Sequence, residues 1–158
     1  MILNEGIGAG VVIEDELYQG TYDYVGEIGH FLCFEKGQYS YLEDIAGVDV
    51  LLEKAQESGL KANNLQEFKR LLVGNKSNSK KAQEILSPVA SWIGSAIINA
   101  IHMIGPQTVF IGGKMAILGD SFIQPVRQFV SCYLFGNQEV DIRYSGISSD
   151  AEALGAGI

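Results

Sequence analysis

Cysteine, basic charge and long apolar runs are all scarce in this chain, and each shortage closes off a class of protein. Two cysteines, Cys33 and Cys132, stand far apart among 158 residues. That spacing offers no disulfide framework, so the expectation is two reduced, unpaired thiols in a cytoplasmic protein. Lysine and arginine number 11 against 19 acidic residues, a net charge of -8. Direct nucleic-acid binding needs clustered cations to neutralise phosphates, so any DNA contact must come from another part of a longer protein. No apolar run approaches the ~18 residues of a bilayer span, which argues against a membrane partner. The opening Met1-Ile2-Leu3-Asn4-Glu5 has no basic stretch of the kind that starts a signal peptide.

What is present reads as one globular α/β domain. Hydrophobic residues make up 47% and charged residues 19%, enough to build a buried core. Val11-Val12-Ile13 and Leu17-Tyr18, separated by Glu14-Asp15-Glu16, predict a hairpin, and Phe31–Phe34 a third strand. Lys36-Gly37-Gln38 predicts a turn. A helical pattern runs from about Tyr41 to Gln56, with Leu42, Ile45, Ala46, Asp49/Val50 and Leu52 on one stripe. Gly47 predicts a break within it and Gly59 a C-terminal cap. A short helix over Leu65 to Val73 follows, then a loop at Gly74–Asn78. The longest helical pattern comes next, carries Pro88 as an expected kink or division, and stops at Gly105-Pro106. Thr108–Ile111 predicts a buried strand, Gly112-Gly113 a turn into helical sequence through Phe135, and Val140–Tyr144 another strand. Asp150 opens a predicted final helix. Alternating strands and helices of this kind predict a sheet covered by helices.

Two stretches carry chemistry. Gly6-Ile7-Gly8-Ala9-Gly10 lacks side chains at alternate positions, so its N–H groups can cradle a phosphate; it also suits a plain turn before a strand. Gly26-Glu27-Ile28-Gly29-His30 holds a carboxylate and an imidazole three residues apart between glycines. A carboxylate accepts hydrogen bonds from hydroxyls and an imidazole donates or accepts, which suits a polyol. Tyr22 and Tyr24, flanking Asp23, are expected in an exposed loop or subunit contact rather than stacked on a sugar, and Trp92 and His102 in core or interface.

These segments together resemble the ROK family, which groups bacterial sugar kinases with sugar-responsive repressors. Val109-Phe110-Ile111-Gly112-Gly113, Gly119-Asp120 and Pro125-Val126-Arg127 are similar to its later nucleotide-side loop and helix, and Asp150–Ala156 to its C-terminal signature. The resemblance covers nearly the whole chain but only about the second half of such a protein. It implies an actin-like (ribonuclease H-like) half domain over 1–158, with a mixed sheet, a long helix and flanking helices. Both ends read as cut within a longer protein. The resemblance further implies sugar contacts at Glu27, His30 and Glu43, and nucleotide or phosphate contacts at Gly6, Gly8, Gly10, Gly112 and Gly113. Glu43 also suits a first helical turn on dipole grounds alone.

Departures from the family pattern shape the functional expectation. Many members carry a cysteine-rich zinc loop that begins at the position of His30. Here Phe31–Tyr41 is short and has one cysteine, so His30 and Cys33 supply two of the four ligands a structural site requires. Zinc is therefore not expected, and Tyr39 and Tyr41 are expected to replace it by apolar packing. Lys114 stands where the family has a third glycine. No aspartate matches the position of the family's catalytic base, so no catalytic residue is assigned in this chain. The reading is the sugar-sensing domain of a ROK transcriptional regulator, homodimeric, with a sugar or sugar-phosphate effector, no cofactor of its own, and DNA contacted only through an N-terminal domain outside this sequence. The alternative is the C-terminal lobe of an ATP-dependent sugar kinase, in which ATP and Mg would serve the complete protein.

Overall fold

The structure, a computed structural model, describes residues 1–136 and 138–145. The Asp150–Ala156 motif and the helix expected there lie outside the described residues.

Strand pairing begins at the first residues. β1 (Ile2–Leu3) pairs antiparallel with β2 (Ile7–Gly8), Leu3 opposite Ile7. β7 (Thr108–Ile111) pairs in parallel with β8 (Asp141–Tyr144). A parallel bridge between Ile2 and Gly112 joins the two pairs, closed by Leu3 N–H to the Gly112 carbonyl at 3.0 Å and Gly112 N–H to the Met1 carbonyl at 2.8 Å. The order across this mixed arrangement is β2, β1, β7, β8. Gly6–Gly10 is therefore not the loop expected from its composition. It contains a strand, because Ile7 and Leu3 bury their side chains and the backbone between them satisfies its polar groups by pairing.

Two hairpins stand beside this sheet. β3 (Val12–Ile13) and β4 (Glu16–Leu17) are joined by Glu14-Asp15, with φ of 54° and 64°. β5 (Leu32–Glu35) and β6 (Gln38–Tyr41) are joined by Lys36-Gly37, with φ of 51° and 85°. Positive φ at both central residues is the turn whose twist matches the flanking strands. β6 escapes sequence reading because Gln38, Tyr39 and Tyr41 are all exposed, which erases the alternation that marks a half-buried strand.

Among the described residues, five helices complete the fold. α1 (Glu43–Ala46) and α2 (Val48–Glu57) are split at Gly47, as expected. The split resets the helical phase, so α2 buries Val48, Leu51 and Ala55 rather than Val50 and Leu52. Gly59 ends it with φ of 83°, and Leu60 N–H reaches back to the Ala55 carbonyl. α3 (Leu65–Leu72) is capped reciprocally: Asn64 Oδ1 accepts from Glu67 N–H at 2.9 Å, and Glu67 Oε2 accepts from Asn63 N–H at 2.8 Å.

α4 (Lys76–Ile104) starts inside the expected loop, because Asn75 caps it by accepting from Asn78 N–H at 3.0 Å. It also runs through Pro88 without being divided. Pro88 lies on the exposed side, where water reaches the carbonyl that loses its partner, while Leu86, Val89 and Ala90 hold the helix to the core. By length and a mean hydropathy of 1.3, α4 is apolar enough to cross a bilayer. Its buried residues pack instead against α5 (Asp120–Tyr133), α3 and α1. A 3-10 segment, Lys114–Leu118, separates β7 from α5, and Gly119 at φ 60° turns between them. The expected single helix after Gly113 is thus two pieces. Trp92 is half-buried; His102 is exposed and accepts from Phe135 N–H at 3.4 Å, so it lies outside the core.

Two ties fasten the parallel pair to α5. Arg127 gives Nε and Nη2 to the Ile142 carbonyl at 2.8 and 2.5 Å. Tyr144 donates its hydroxyl to the Gly119 carbonyl at 2.6 Å, and burial pushes that phenol up to about 12 from 10. A raised folded-state value contributes stability fully present below pH 10 and lost as pH climbs towards 12. Chemical unfolding across that window is expected to show a steeper fall for the unsubstituted chain than for Tyr144→Phe. The variant itself should lose about 1 kcal/mol at neutral pH with the hydrogen bond.

Candidate functional site

Glu27, His30 and Glu43 come together in space, although they arise from different elements. Glu27 and His30 flank a 3-10 turn over Ile28–His30, and Glu43 opens α1. Gly26 makes the turn possible. Its φ is 96°, and a side-chain carbon there would lie 1.7 Å from the Ala9 carbonyl oxygen. Its own carbonyl accepts from Ala9 N–H at 2.8 Å, which pins the loop beside β2.

His30 sits between the two carboxylates. Nδ1 is 3.5 Å from Glu27 Oε2, and Nε2 is 3.9 Å from Glu43 Oε1. Glu43 is the anchored member, because its Oε2 accepts from Ile7 N–H at 3.4 Å. Gly29 lets it approach: a side-chain carbon at Gly29 would meet Glu43 Oε2 at 2.4 Å and the Ile7 carbonyl at 2.5 Å. Tyr41, from β6, sets its ring edgewise to His30 at 5.2 Å. Glu27 and His30 are more than half exposed, so the trio forms an open polar surface with acceptors on both sides of an imidazole. Such a set can bind vicinal hydroxyls, which donate to the carboxylates and exchange either role with the ring.

The expected packing around this site is only partly found. Tyr41 does support His30, but Tyr39 packs on Phe34 at 5.1 Å, and both of those rings face outward. Zinc does not suit the donors present. Cys33 points into the core, its Sγ 3.6 Å from the Phe31 carbonyl, and burial together with Glu35 pushes its thiol up. No cluster of three or more His, Cys, Asp or Glu suited to a metal occurs among the described residues. Both cysteines are free thiols, and Tyr22 and Tyr24 are exposed.

The glycines divide into two groups. Gly6, Gly8 and Gly10 have no left-handed φ, so they form no nest of alternating backbone hand. Gly6 borders Glu43 Oε2, Gly10 borders Leu17, and Gly8 faces open space. Gly112 and Gly113 are needed by the fold itself. A side-chain carbon at Gly112 would meet Ser145 Oγ at 2.8 Å; at Gly113, with φ 84°, it would meet Leu3 N and O at 2.7 Å. The 3-10 segment that follows is too short to offer a helical N-terminus to a phosphate.

Sequence reasoning missed Asn4 and Glu5. Lys114 N–H donates to Asn4 Oδ1 at 2.7 Å, and Lys114 Nζ meets Glu5 Oε1 at 2.5 Å. That contact holds the Glu5 carboxyl below its usual range. The pair lies on the wall of a cavity of about 610 Å³ between α2, the start of α3 and the Lys114–Leu118 segment. The only signal for it in the sequence is position, Asn4-Glu5 directly preceding the glycine stretch.

Comparison with known proteins places the chain. A putative xylose repressor from Caldicellulosiruptor sp. (strain Rt8B.4) is 28% identical over 95% of this chain and 42% of its own length. A glucokinase from Halalkalibacterium halodurans is 22% identical over 98% of this chain and 53% of its own. The chain thus spans about half the length of the curated relatives it matches. Among solved structures, a ROK family glucokinase from Streptomyces griseus in complex with glucose and AMPPNP superposes with a TM-score of 0.85 at 16% identity, over 98% of this chain and 57% of that one. The fold is actin-like, as in these sugar kinases. The ROK family profile matches residues 1–158, and the chain belongs to the ROK family.

Proposed function

We propose that the chain is the sugar-sensing part of a ROK-family transcriptional regulator, with Glu27, His30 and Glu43 gripping a sugar or sugar-phosphate effector. The observation that carries this reading is the His30 ring held between two carboxylates, one of them anchored to the β2 backbone. Adjacent sugar hydroxyls need acceptors and donors at this spacing. A net charge of -8 leaves DNA contact to a part of the protein outside this chain. Homodimer formation and a cytoplasmic location belong to the same reading. Gly6, Gly8, Gly10, Gly112 and Gly113 line the side on which a kinase would hold its nucleotide phosphates.

Regulator is favoured over kinase by Lys114, whose ammonium is engaged by Glu5 at the position where the family has glycine. Two xylose repressors, at 28% and 26% identity, support the same choice. The kinase-lobe reading rests on the glucokinase relative and on the fold shared with the glucose and AMPPNP complex. Phosphoryl transfer needs a group to accept the sugar hydroxyl proton. The 158-residue chain supplies no aspartate matched to that role, so it should transfer no phosphate from ATP to xylose or glucose in a coupled assay.

The sugar reading is tested by calorimetric titration of xylose and glucose into the 158-residue chain. One of them should bind saturably. Glu27→Ala and His30→Ala should each weaken it about 10- to 100-fold, the effect of losing a hydrogen bond to a charged group. Both side chains are more than half exposed, so thermal midpoints should hardly move. Unchanged affinity in both variants would sink the assignment.

A further inference from the structure

The β5–β6 hairpin carries an apolar face that the fold leaves open. Leu32 stands opposite Tyr41, and Phe34 opposite Tyr39. Residues directly opposed on antiparallel strands project to the same side, and their neighbours along the strand to the other. One side of the hairpin therefore carries Leu32, Phe34, Tyr39 and Tyr41, which are 69%, 60%, 73% and 45% exposed. Cys33, on the other side, is buried in the core and holds the hairpin to the domain. Large apolar side chains gathered on one open face mark a binding surface.

Where the face begins indicates what covers it. The Tyr41 ring meets His30 edge-on at 5.2 Å, so the face is continuous with Glu27, His30 and Glu43. The Phe34 and Tyr39 rings, 5.1 Å apart, form the next cross-strand row, about 7 Å further along the ribbon. We propose that the effector is an unphosphorylated, extended oligosaccharide rather than a single sugar. Its terminal ring sits on Glu27, His30 and Glu43, the second ring on Tyr41, and the third on Phe34 and Tyr39. A pyranose presents C–H groups on its faces and hydroxyls around its rim. The faces lie against the aromatic rings, and the rim bonds to the tyrosine hydroxyls. None of the four side chains is charged, so a phosphate on this row would shed water without gaining a partner from them. Glu27 and His30 are more than half exposed, which leaves the trio open for a longer chain to extend from it.

Because this assignment rests on the sugar reading of Glu27, His30 and Glu43, the titration is designed to separate the two. The probes are xylose, xylobiose and xylotriose, then glucose, cellobiose and cellotriose, each added to the 158-residue chain in a calorimeter. In one series affinity should rise about tenfold with each added ring. Tyr39→Ala should erase the gain from the third ring and leave the monosaccharide at its parent affinity. Tyr39→Phe should keep most of that gain. The Tyr39 side chain points outward, so both variants should hold their thermal midpoints. A monosaccharide that binds as tightly as its trisaccharide overturns the oligosaccharide assignment and leaves the sugar reading standing. No binding in either series, or binding of the longer sugars that ignores both Glu27→Ala and His30→Ala, overturns the two together. Sedimentation in which Tyr39→Ala converts a dimer to a monomer would give the face to a second copy of the chain and overturn the oligosaccharide assignment alone.

Discussion

Alanine in place of Gly26 is expected to unfold the Glu27–His30 loop and lower the stability of the whole chain. The backbone there has φ 96°, which costs an L side chain about 1–2 kcal/mol by itself. The added carbon would lie 1.7 Å from the Ala9 carbonyl oxygen, and no rotamer relieves a backbone clash. Relief requires the loop to leave β2. That breaks Ala9 N–H to Gly26 O at 2.8 Å and Ile28 N–H to Gly26 O at 2.7 Å. The combined loss is on the order of 3–5 kcal/mol, or about 6–20 °C in the thermal midpoint of a chain this size. Sugar binding should disappear with the loop, since Glu27 and His30 ride on it. Gly8→Ala is the control: Gly8 faces open space with an ordinary φ, and its stability should stay within about 0.5 kcal/mol of the parent. Calorimetry on both variants checks the pair; a Gly26→Ala chain as stable as Gly8→Ala would refute the steric argument.

Phe68→Ala should cost a similar amount by a different route. Phe68 is fully buried on α3, on the face it shares with Leu65 and Leu72. α3 packs against α4 and against the Lys114–Leu118 segment, so its largest side chain joins two parts of the core. Removing the ring leaves a cavity that close-packed neighbours fill only in part, at about 3–5 kcal/mol. At ~2–4 °C per kcal/mol the midpoint falls about 6–20 °C. An eight-residue helix has little stability of its own, so α3 should become the first segment to exchange its amide hydrogens. Hydrogen exchange resolved by residue checks this, and equal protection of α3 in parent and variant would contradict it.

Gly26 and Phe68 also mark how far the sequence could be read. Phe68 belongs to a local pattern: Leu65, Phe68 and Leu72 recur at helical spacing, with Asn64 to cap and Glu67 to close the box. Such information sits within one turn of helix, and α3, the split at Gly47, the stop at Gly105 and the β3–β4 hairpin were legible for the same reason. Pro88 was misleading because its effect depends on which side of α4 faces water, a property of the assembled helices. Gly6–Gly10 was misleading because a glycine-rich segment becomes a strand only when a partner is at hand, and β1 supplies it.

Composition and spacing by themselves determined most of the helices, the hairpin at Glu14-Asp15 and the residue types suited to hydroxyls, since these depend on neighbours along the chain, while the family was legible through the resemblance of its glycine-framed motifs. Only the tertiary structure decided that Glu43 swings back to the Ile7 amide and brackets His30 with Glu27. It also brought Lys114 to Glu5, across more than a hundred residues, on the wall of one cavity. Contacts between residues that far apart depend on how β1 docks beside β7, and that docking is fixed by burial of Leu3 and Ile111, not by any local signal.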